Sequence, residues 1–323
     1  MLNDIGNHTA LQSLKNSLEG EVIGQEHVVN ALLIALLADT HILLEGLPGT
    51  AKTRSVRSLA SSIDVELNRV QFTPDLMPTD VIGYESISEG STLSFVQGPV
   101  FTNILLADEI NRAPPKVQSA LLEAMEERQV TVSGKMYPLP DIFMVLATQN
   151  PVEQEGTYPL PEAQLDRFLM KVSVDYPDRD QELKVLRLVK GEQITKKILE
   201  KVSPEFIKNA REEVKTLYTS ESIEQYIVDL IIATRTPALV IDDHQNLSKS
   251  ISFGASPRAT LALDKAARAH AYIEGRDFVS PEDVKAVLHQ VLGHRIKLSF
   301  DALSRGLTVK DIIDEINQKV LLG

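Results

Sequence analysis

The 323-residue chain has no cysteine and no tryptophan, and only 5% of its residues are aromatic. Without cysteine there are no disulfides, thiolate metal sites or cysteine nucleophiles. A chain of this length buries roughly three-quarters of its unfolded surface, so it needs no covalent staple. Long hydrophobic runs are also missing. The longest, ALLIALLA (31–38), falls well short of the ~18 apolar residues of a membrane helix. The opening MLNDIGNHTA lacks the basic start and apolar core of a signal peptide, so a cytoplasmic protein is expected. The seven histidines are scattered, with no H-E-x-x-H pair and no metal site expected; Asp242-Asp243-His244 reads as a polar loop. There is no Gly-x-Ser-x-Gly elbow of a serine hydrolase.

Charge is plentiful but uneven. Lys plus Arg total 33 against 45 Asp plus Glu, a formal net charge of −12. Residues 1–178 hold 11 basic and 24 acidic side chains, whereas residues 179–323 hold 22 and 21. The contrast suggests two units, 1–178 and 179–323, with the boundary near Tyr176-Pro177-Asp178. An acidic first unit argues against broad nucleic-acid binding, which depends on Lys and Arg neutralising phosphates.

The first unit alternates apolar runs with helical periodicity. HILLEG (41–46), VELNRVQF (65–72), NILLADEI (103–110), IFMVLATQN (142–150) and FLMKVSV (168–174) read as strands. Residues 22–38, 52–62 and 116–127 read as helices. Alternation of this kind implies a parallel sheet with helices on both faces. Residues 83–100 and 128–140 interrupt it with alternating runs around Glu89-Gly90-Ser91 and Ser133-Gly134, and both predict β-hairpins. The second unit reads as helical throughout, with helix starts at Ser256-Pro257 and Ser280-Pro281-Glu282-Asp283.

Three strand ends carry chemistry. Gly46-Leu47-Pro48-Gly49-Thr50-Ala51-Lys52-Thr53 lies between a strand and a helix, the setting of a phosphate-binding loop. Its backbone N–H groups and the following helix N-terminus suit phosphate oxygens. Lys52 would reach the β- and γ-phosphates of ATP, and Thr53 would ligate Mg²⁺. Ala51 stands where the general pattern has a second glycine. Asp108-Glu109 ends an apolar strand, so both carboxylates face the crevice of an open sheet. Asp108 suits the Mg²⁺ shell, and Glu109 suits a general base for the attacking water. Asn150, in ATQNP (147–151), ends another strand and would orient that water or sense the γ-phosphate. Arg167 and Arg258 are candidates to meet charge developing in phosphoryl transfer.

LLADEINRAPPKVQSALLEAMEERQVTVSG (105–134), ATQNP, GTYPLPEAQLDRF (156–168) and GLPGTAKT together resemble the MoxR-type AAA+ ATPases, over roughly residues 20–300. The resemblance implies an α/β AAA+ core with strand order 5-1-4-3-2 and a C-terminal all-helical lid. It makes the two hairpins the helix-2 insert and the pre-sensor-1 insert, Asn150 sensor 1 and Arg258 sensor 2. Arg167 becomes an arginine finger acting on the neighbouring subunit's nucleotide, and Val22, Ile23 and Gly24 match the adenine-contacting segment.

It further implies a hexameric ring, ATP and Mg²⁺ as cofactors, and a von Willebrand factor A-domain protein as partner. The implied function is ATP hydrolysis driving chaperone-like remodelling, maturation or metal-cofactor insertion of client proteins. In that expectation ATP lies between core and lid, and Arg258 touches the γ-phosphate when its own lid closes. The alternatives are a nucleic-acid motor of the same clade and a non-hydrolysing nucleotide-sensing module.

Overall fold

The computed structural model describes residues 2–22, 24–46, 52–87, 93–150, 157–174, 176, 178–189, 201–241 and 245–323. Ile23, residues 47–51, residues 88–92 with the expected turn Glu89-Gly90-Ser91, and residues 242–244 lie outside these.

The first part runs α1 (Leu2–Glu21), α2 (Glu26–Leu37), β1 (Ile42–Gly46), α3 (Lys52–Ile63), β2 (Leu67–Gln71), α4 (Pro78–Ile82), β3 (Gly83–Ile87), β4 (Leu93–Gln97), β5 (Ile104–Asp108), α5 (Pro115–Glu127), β6 (Gln129–Val132), β7 (Lys135–Pro138), β8 (Met144–Gln149), α6 (Glu162–Leu165) and β9 (Met170–Val174). The second runs α7 (Arg179–Val189), α8 (Pro204–Thr216), α9 (Glu221–Ala233), α10 (Gln245–Ser250), β10 (Ile251–Phe253), α11 (Pro257–Ile273), α12 (Pro281–Leu292), β11 (Lys297–Leu298), α13 (Phe300–Ser304) and α14 (Val309–Lys319).

Strands β2-β5-β8-β1-β9 form one parallel sheet. Counting only these strands in chain order gives 5-1-4-3-2, the expected order. The three central strands β5, β8 and β1 are buried on both faces, as continuous apolar strands of a covered parallel sheet require, whereas the edge strand β2 is half-buried to exposed. Helix α2 begins at Glu26, later than its periodicity suggests, because Gly24 takes φ +76 and ends the preceding turn. Its nearly all-round apolar sequence is explained by its neighbours: β1 and β9 on one side, α1, α8 and α11 on the other. Helix α1, with Leu11, Leu14 and Leu18 buried, was not anticipated from sequence.

Both hairpins are present, pairing β3 with β4 and β6 with β7 antiparallel. They touch through Phe95 and Tyr137, stacked at 4.0 Å between centroids. Among its described residues the second part departs from the all-helical expectation: β10 and β11 form a short antiparallel pair, and Tyr218 and Phe278 form an isolated parallel bridge.

One apolar cluster continues from α2 and β9 into α8, α9, α11 and α12. Arg211 of α8, buried in this junction, pairs with Asp39 at 2.6 Å and donates to the Leu36 carbonyl at 2.9 Å. Arg295, after α12, donates to Asp166 Oδ1 at 2.7 Å and to the carbonyls of Phe168 and Leu169 at 2.7 and 3.0 Å. These carbonyls lie just before β9. The helical part is therefore fixed at the N-terminal end of the strands.

Candidate nucleotide site

The C-terminal ends of β1, β5 and β8 bring Gly46, Asp108 and Gln149-Asn150 to one edge of the sheet. Helix α3 opens at Lys52 on the same side, so its N-terminal dipole and free N–H groups belong to this edge. Pro48, Gly49, Thr50 and Ala51 lie outside the described residues, as do the side chains of Lys52 and Thr53. Gly46 has a packing reason of its own: a Cβ there would meet the Val174 carbonyl oxygen at 2.4 Å. A side chain would push β1 from β9.

Asp108 Oδ1 accepts from Thr148 Oγ1 at 2.6 Å, and Asp108 Oδ2 pairs with Arg69 at 2.6 Å. The same Thr148 hydroxyl oxygen accepts from the Glu109 backbone N–H at 2.8 Å. One threonine thus ties the acidic pair to the neighbouring strand. Glu109 sits at φ +57, ψ 50, a left-handed conformation costing a non-glycine residue roughly 1–2 kcal/mol. That turn leads from β5 into the 3₁₀ turn at Ile110–Arg112.

The Glu109 carboxylate is held by three donors. Asn150 Nδ2 reaches Oε1 at 3.0 Å, while Gln71 Nε2 and Arg112 Nη1 reach Oε2 at 2.8 and 2.9 Å. A carboxylate offers about four acceptor positions, so one stays open for a water. Beside it, Glu45 pairs with Lys171 at 2.8 Å and accepts from Gln149 Nε2 at 2.6 Å. The oxygen donors of Asp108 and Glu109 are hard ligands of the kind Mg²⁺ takes.

Sequence reading brought Asp108, Glu109 and Asn150 together correctly but missed Thr148, Arg69, Gln71 and Arg112. Thr148 sits inside the singled-out ATQNP. Arg69 and Gln71 had a weaker signal: alternation on β2 puts both on one face.

Val22 is buried, and Gly24 packs on Gln181 of α7. The Gln181 side chain fills the position a Gly24 Cβ would take, 2.3 Å away. The Gly24 segment thus meets the start of the helical part.

Arg167 and Arg258 lie elsewhere. Arg258 Nη2 pairs with Glu126 Oε1 at 2.8 Å, and Arg167 Nη1 lies 3.5 Å from Glu126 Oε2 and donates to the Leu122 carbonyl at 2.9 Å. Both occupy the edge marked by Thr40 and Leu169, just before β1 and β9. A five-residue strand, about 16 Å, separates that edge from Asp108. In this structure Arg258 therefore lies on the edge away from its own chain's Asp108. The anchor is Asp166, which accepts from Ser256 at the start of α11 at 2.7 Å and from Arg295.

Two family models match: the ATPase family associated with various cellular activities (AAA) over residues 41–170, and the AAA lid domain over residues 244–316. Chaperone MoxR1 of Mycobacterium tuberculosis is 43% identical over 303 residues, covering 93% of this chain and 79% of that protein. Protein MoxR of Paracoccus denitrificans is 34% identical, covering 90% of each. The chain belongs to the MoxR family of AAA ATPases. A crystal structure of a candidate ATPase from Cytophaga hutchinsonii superposes with a TM-score of 0.91 at 44% identity, over 99% of this chain and 97% of that one. The parallel sheet and helical lid are thus the MoxR arrangement, and the acidic pair at Asp108-Glu109 lies within the matched AAA segment.

Proposed function

We propose that this MoxR-family protein hydrolyses ATP in a homo-oligomeric ring, with the hexamer as its natural size, and uses the cycle for chaperone-like remodelling, maturation or metal-cofactor insertion of client proteins. A von Willebrand factor A-domain protein is the proposed partner, the cytoplasm the proposed compartment, and residues 1–178 and 179–323 the two working units. No helix among the described residues is long and apolar enough to cross a membrane.

The observation that carries this reading is the Thr148-Asp108-Glu109-Asn150 constellation at the strand ends. Gly46 and the loop through Thr53 would hold the triphosphate, with Val22, Ile23 and Gly24 against the adenine. Thr53 and Asp108 would hold Mg²⁺, which supplies charge neutralisation of the phosphates. Asn150 fixes the Glu109 carboxylate in orientation, and Glu109 takes the proton of the attacking water as its oxygen bonds to the γ-phosphorus and the bond to the β–γ bridging oxygen breaks, releasing ADP and phosphate. The Arg112 guanidinium holds the other carboxylate oxygen of Glu109 at 2.9 Å, so both oxygens are fixed.

Arg167 and Arg258 lie at the opposite edge of the sheet, so they serve the nucleotide of a second copy. A head-to-tail contact that closes into a ring brings one edge against the other. This placement favours a ring over a self-sufficient monomer.

Apolar side chains on the hairpins support a protein client. Ile87 and Leu93 pair across β3 and β4 and are 71% and 63% exposed, and Met136 on the second hairpin is 68% exposed. The nucleic-acid motor loses ground. Of the two basic residues in 128–140, Arg128 turns inward to Asp39 and the Phe143 carbonyl, leaving Lys135.

Phosphate release from ATP, followed per subunit over a protein-concentration series, tests the reading. Specific activity should rise with assembly. No turnover at any concentration would favour the nucleotide-sensing module.

A further inference from the structure

The N-terminal edge of the sheet holds an open cavity of about 220 Å³. Thr40 and Leu169 line it together with Glu126 and Arg167 of the core and Arg258 and Lys265 of the lid helix α11. Arg258 and Lys265 are seven residues apart, two turns along one helical face. Behind them Asp166 and Arg295 satisfy each other at 2.7 Å. That leaves three cations facing one carboxylate. Glu126 is divided between Arg258, at 2.8 Å, and Arg167, at the looser 3.5 Å. Among the described residues, Lys265 has no carboxylate within ion-pair distance.

A cavity of this size with an excess of guanidinium and ammonium groups suits a compact, multiply charged oxyanion. Guanidinium forks match phosphate oxygens in pairs, and an ammonium adds a point charge. One carboxylate cannot neutralise three cations, whereas the terminal phosphates of a nucleotide carry more charge and more acceptors. Glu126 is partly exposed on α5, so its carboxylate can turn to water when a stronger anion arrives.

We propose that the second copy's nucleotide, met by Arg167 and Arg258 on the reading above, is also held by Lys265 and must displace Glu126 from the two arginines. Lys265 is a third phosphate-facing cation beside Arg167 and Arg258. Glu126 is an internal stand-in that holds both arginines until assembly. The inference rests on the in-trans reading above and adds two residues to it. It also supplies a regulatory consequence: the isolated subunit keeps its arginines occupied, and ATP on a neighbour must displace Glu126.

The test measures oligomer size by sedimentation, without nucleotide, with ADP and with a non-hydrolysable ATP analogue, alongside ATP turnover over a concentration series. The variants are Glu126→Gln, Lys265→Ala, Lys265→Arg and Arg167→Ala. Glu126→Gln keeps shape and removes charge, and it should lower the concentration for half-maximal turnover roughly three- to tenfold, the scale of two exposed ion pairs. The same shift should appear in sedimentation with the ATP analogue and be absent without nucleotide. Lys265→Ala should raise KM for ATP several-fold in the assembled protein with kcat within about twofold, and Lys265→Arg should restore KM. An unchanged half-activation concentration in Glu126→Gln, with Arg167→Ala inactive, would overturn the stand-in role while leaving the in-trans reading intact. An equal shift without nucleotide would assign the cavity to a neighbour's carboxylate and overturn the phosphate assignment. Full activity of Arg167→Ala would instead overturn the in-trans reading itself.

Discussion

Asn150 Nδ2 donates to Glu109 Oε1 at 3.0 Å, across two strands that are 41 residues apart in sequence. The bond fixes the orientation of the proposed general base. Replacing Glu109 by Gln should lower kcat by about 10²–10⁴-fold, the usual share of a general base, while ATP still binds. Asn150→Ala should lower kcat with little change in nucleotide affinity. Equilibrium binding of a fluorescent ATP analogue, set beside phosphate release, separates the two effects.

Thr148 makes two bonds with one hydroxyl, donating to Asp108 and accepting from the Glu109 backbone N–H. Thr148→Val keeps the shape and leaves that buried N–H without an acceptor, a loss of about 1–3 kcal/mol. Thr148→Ser should retain function. The valine variant should also need more Mg²⁺ for half-maximal turnover, because Asp108 loses its fixed orientation. A Mg²⁺ titration of the three proteins checks this.

Two glycines should respond oppositely to alanine. Gly46→Ala drives a methyl into the Val174 carbonyl and should cost about 1–3 kcal/mol. Gly20 lies in α1 with nothing near its missing Cβ, so Gly20→Ala should stabilise by about 0.5–1 kcal/mol. Denaturant unfolding of both reads the difference in sign.

Acid should destabilise the fold first through its two buried histidines, His41 and His294, which burial holds well below the ordinary imidazole range. Burial, helped by Arg128, lowers the His41 pKa to about 3, and the ring accepts from the Val145 N–H while meeting the Met125 carbonyl. The native state therefore resists a proton that the unfolded chain takes up near pH 6.5. The stability from this group is complete above that pH and falls by about 1.4 kcal/mol per unit as pH drops toward 3. His41→Gln should flatten the slope between about pH 6 and 4.

Asp283 acts at lower pH. Burial raises its pKa, but hydrogen bonds from His270, Ser280 and Arg276 outweigh this and hold it at about 2. Its stabilisation is present above the ordinary carboxylate value of 3.8 and is lost as pH falls through about 2. Asp283→Asn should cost about 3 kcal/mol at neutral pH by stranding Arg276, and should remove this second acid step. Melting temperatures over pH 2–7 separate the two groups.

The sheet was legible because its three central strands are apolar runs that end in Gly46, Asp108 and Asn150, while LNRVQ and MKVSV at the edges alternate as strands do. The hairpins announced themselves through Ser133-Gly134 and the alternation around 83–100. Boundaries set by tertiary contact were less visible. FLMKVSV loses Phe168 and Leu169 from β9 because Arg295, well over a hundred residues away, takes their carbonyls. The lid's placement was illegible for the same reason: it depends on Asp166 meeting Ser256 and Arg295, pairs with no local signature. Hence the edge of the sheet on which Arg258 lies could not be read from the residues around it.

The central claim is that one subunit's Glu109 works with another's Arg167. Mixing Glu109→Gln with Arg167→Ala tests it most directly, because each variant keeps what the other lacks. Each alone should be inactive. In an equal random mixture, about a quarter of head-to-tail contacts join an intact Glu109 to an intact Arg167, and turnover should recover to about that fraction of wild type. Mixed oligomers that form and stay inactive, or Arg167→Ala subunits that turn over ATP alone, would contradict the account.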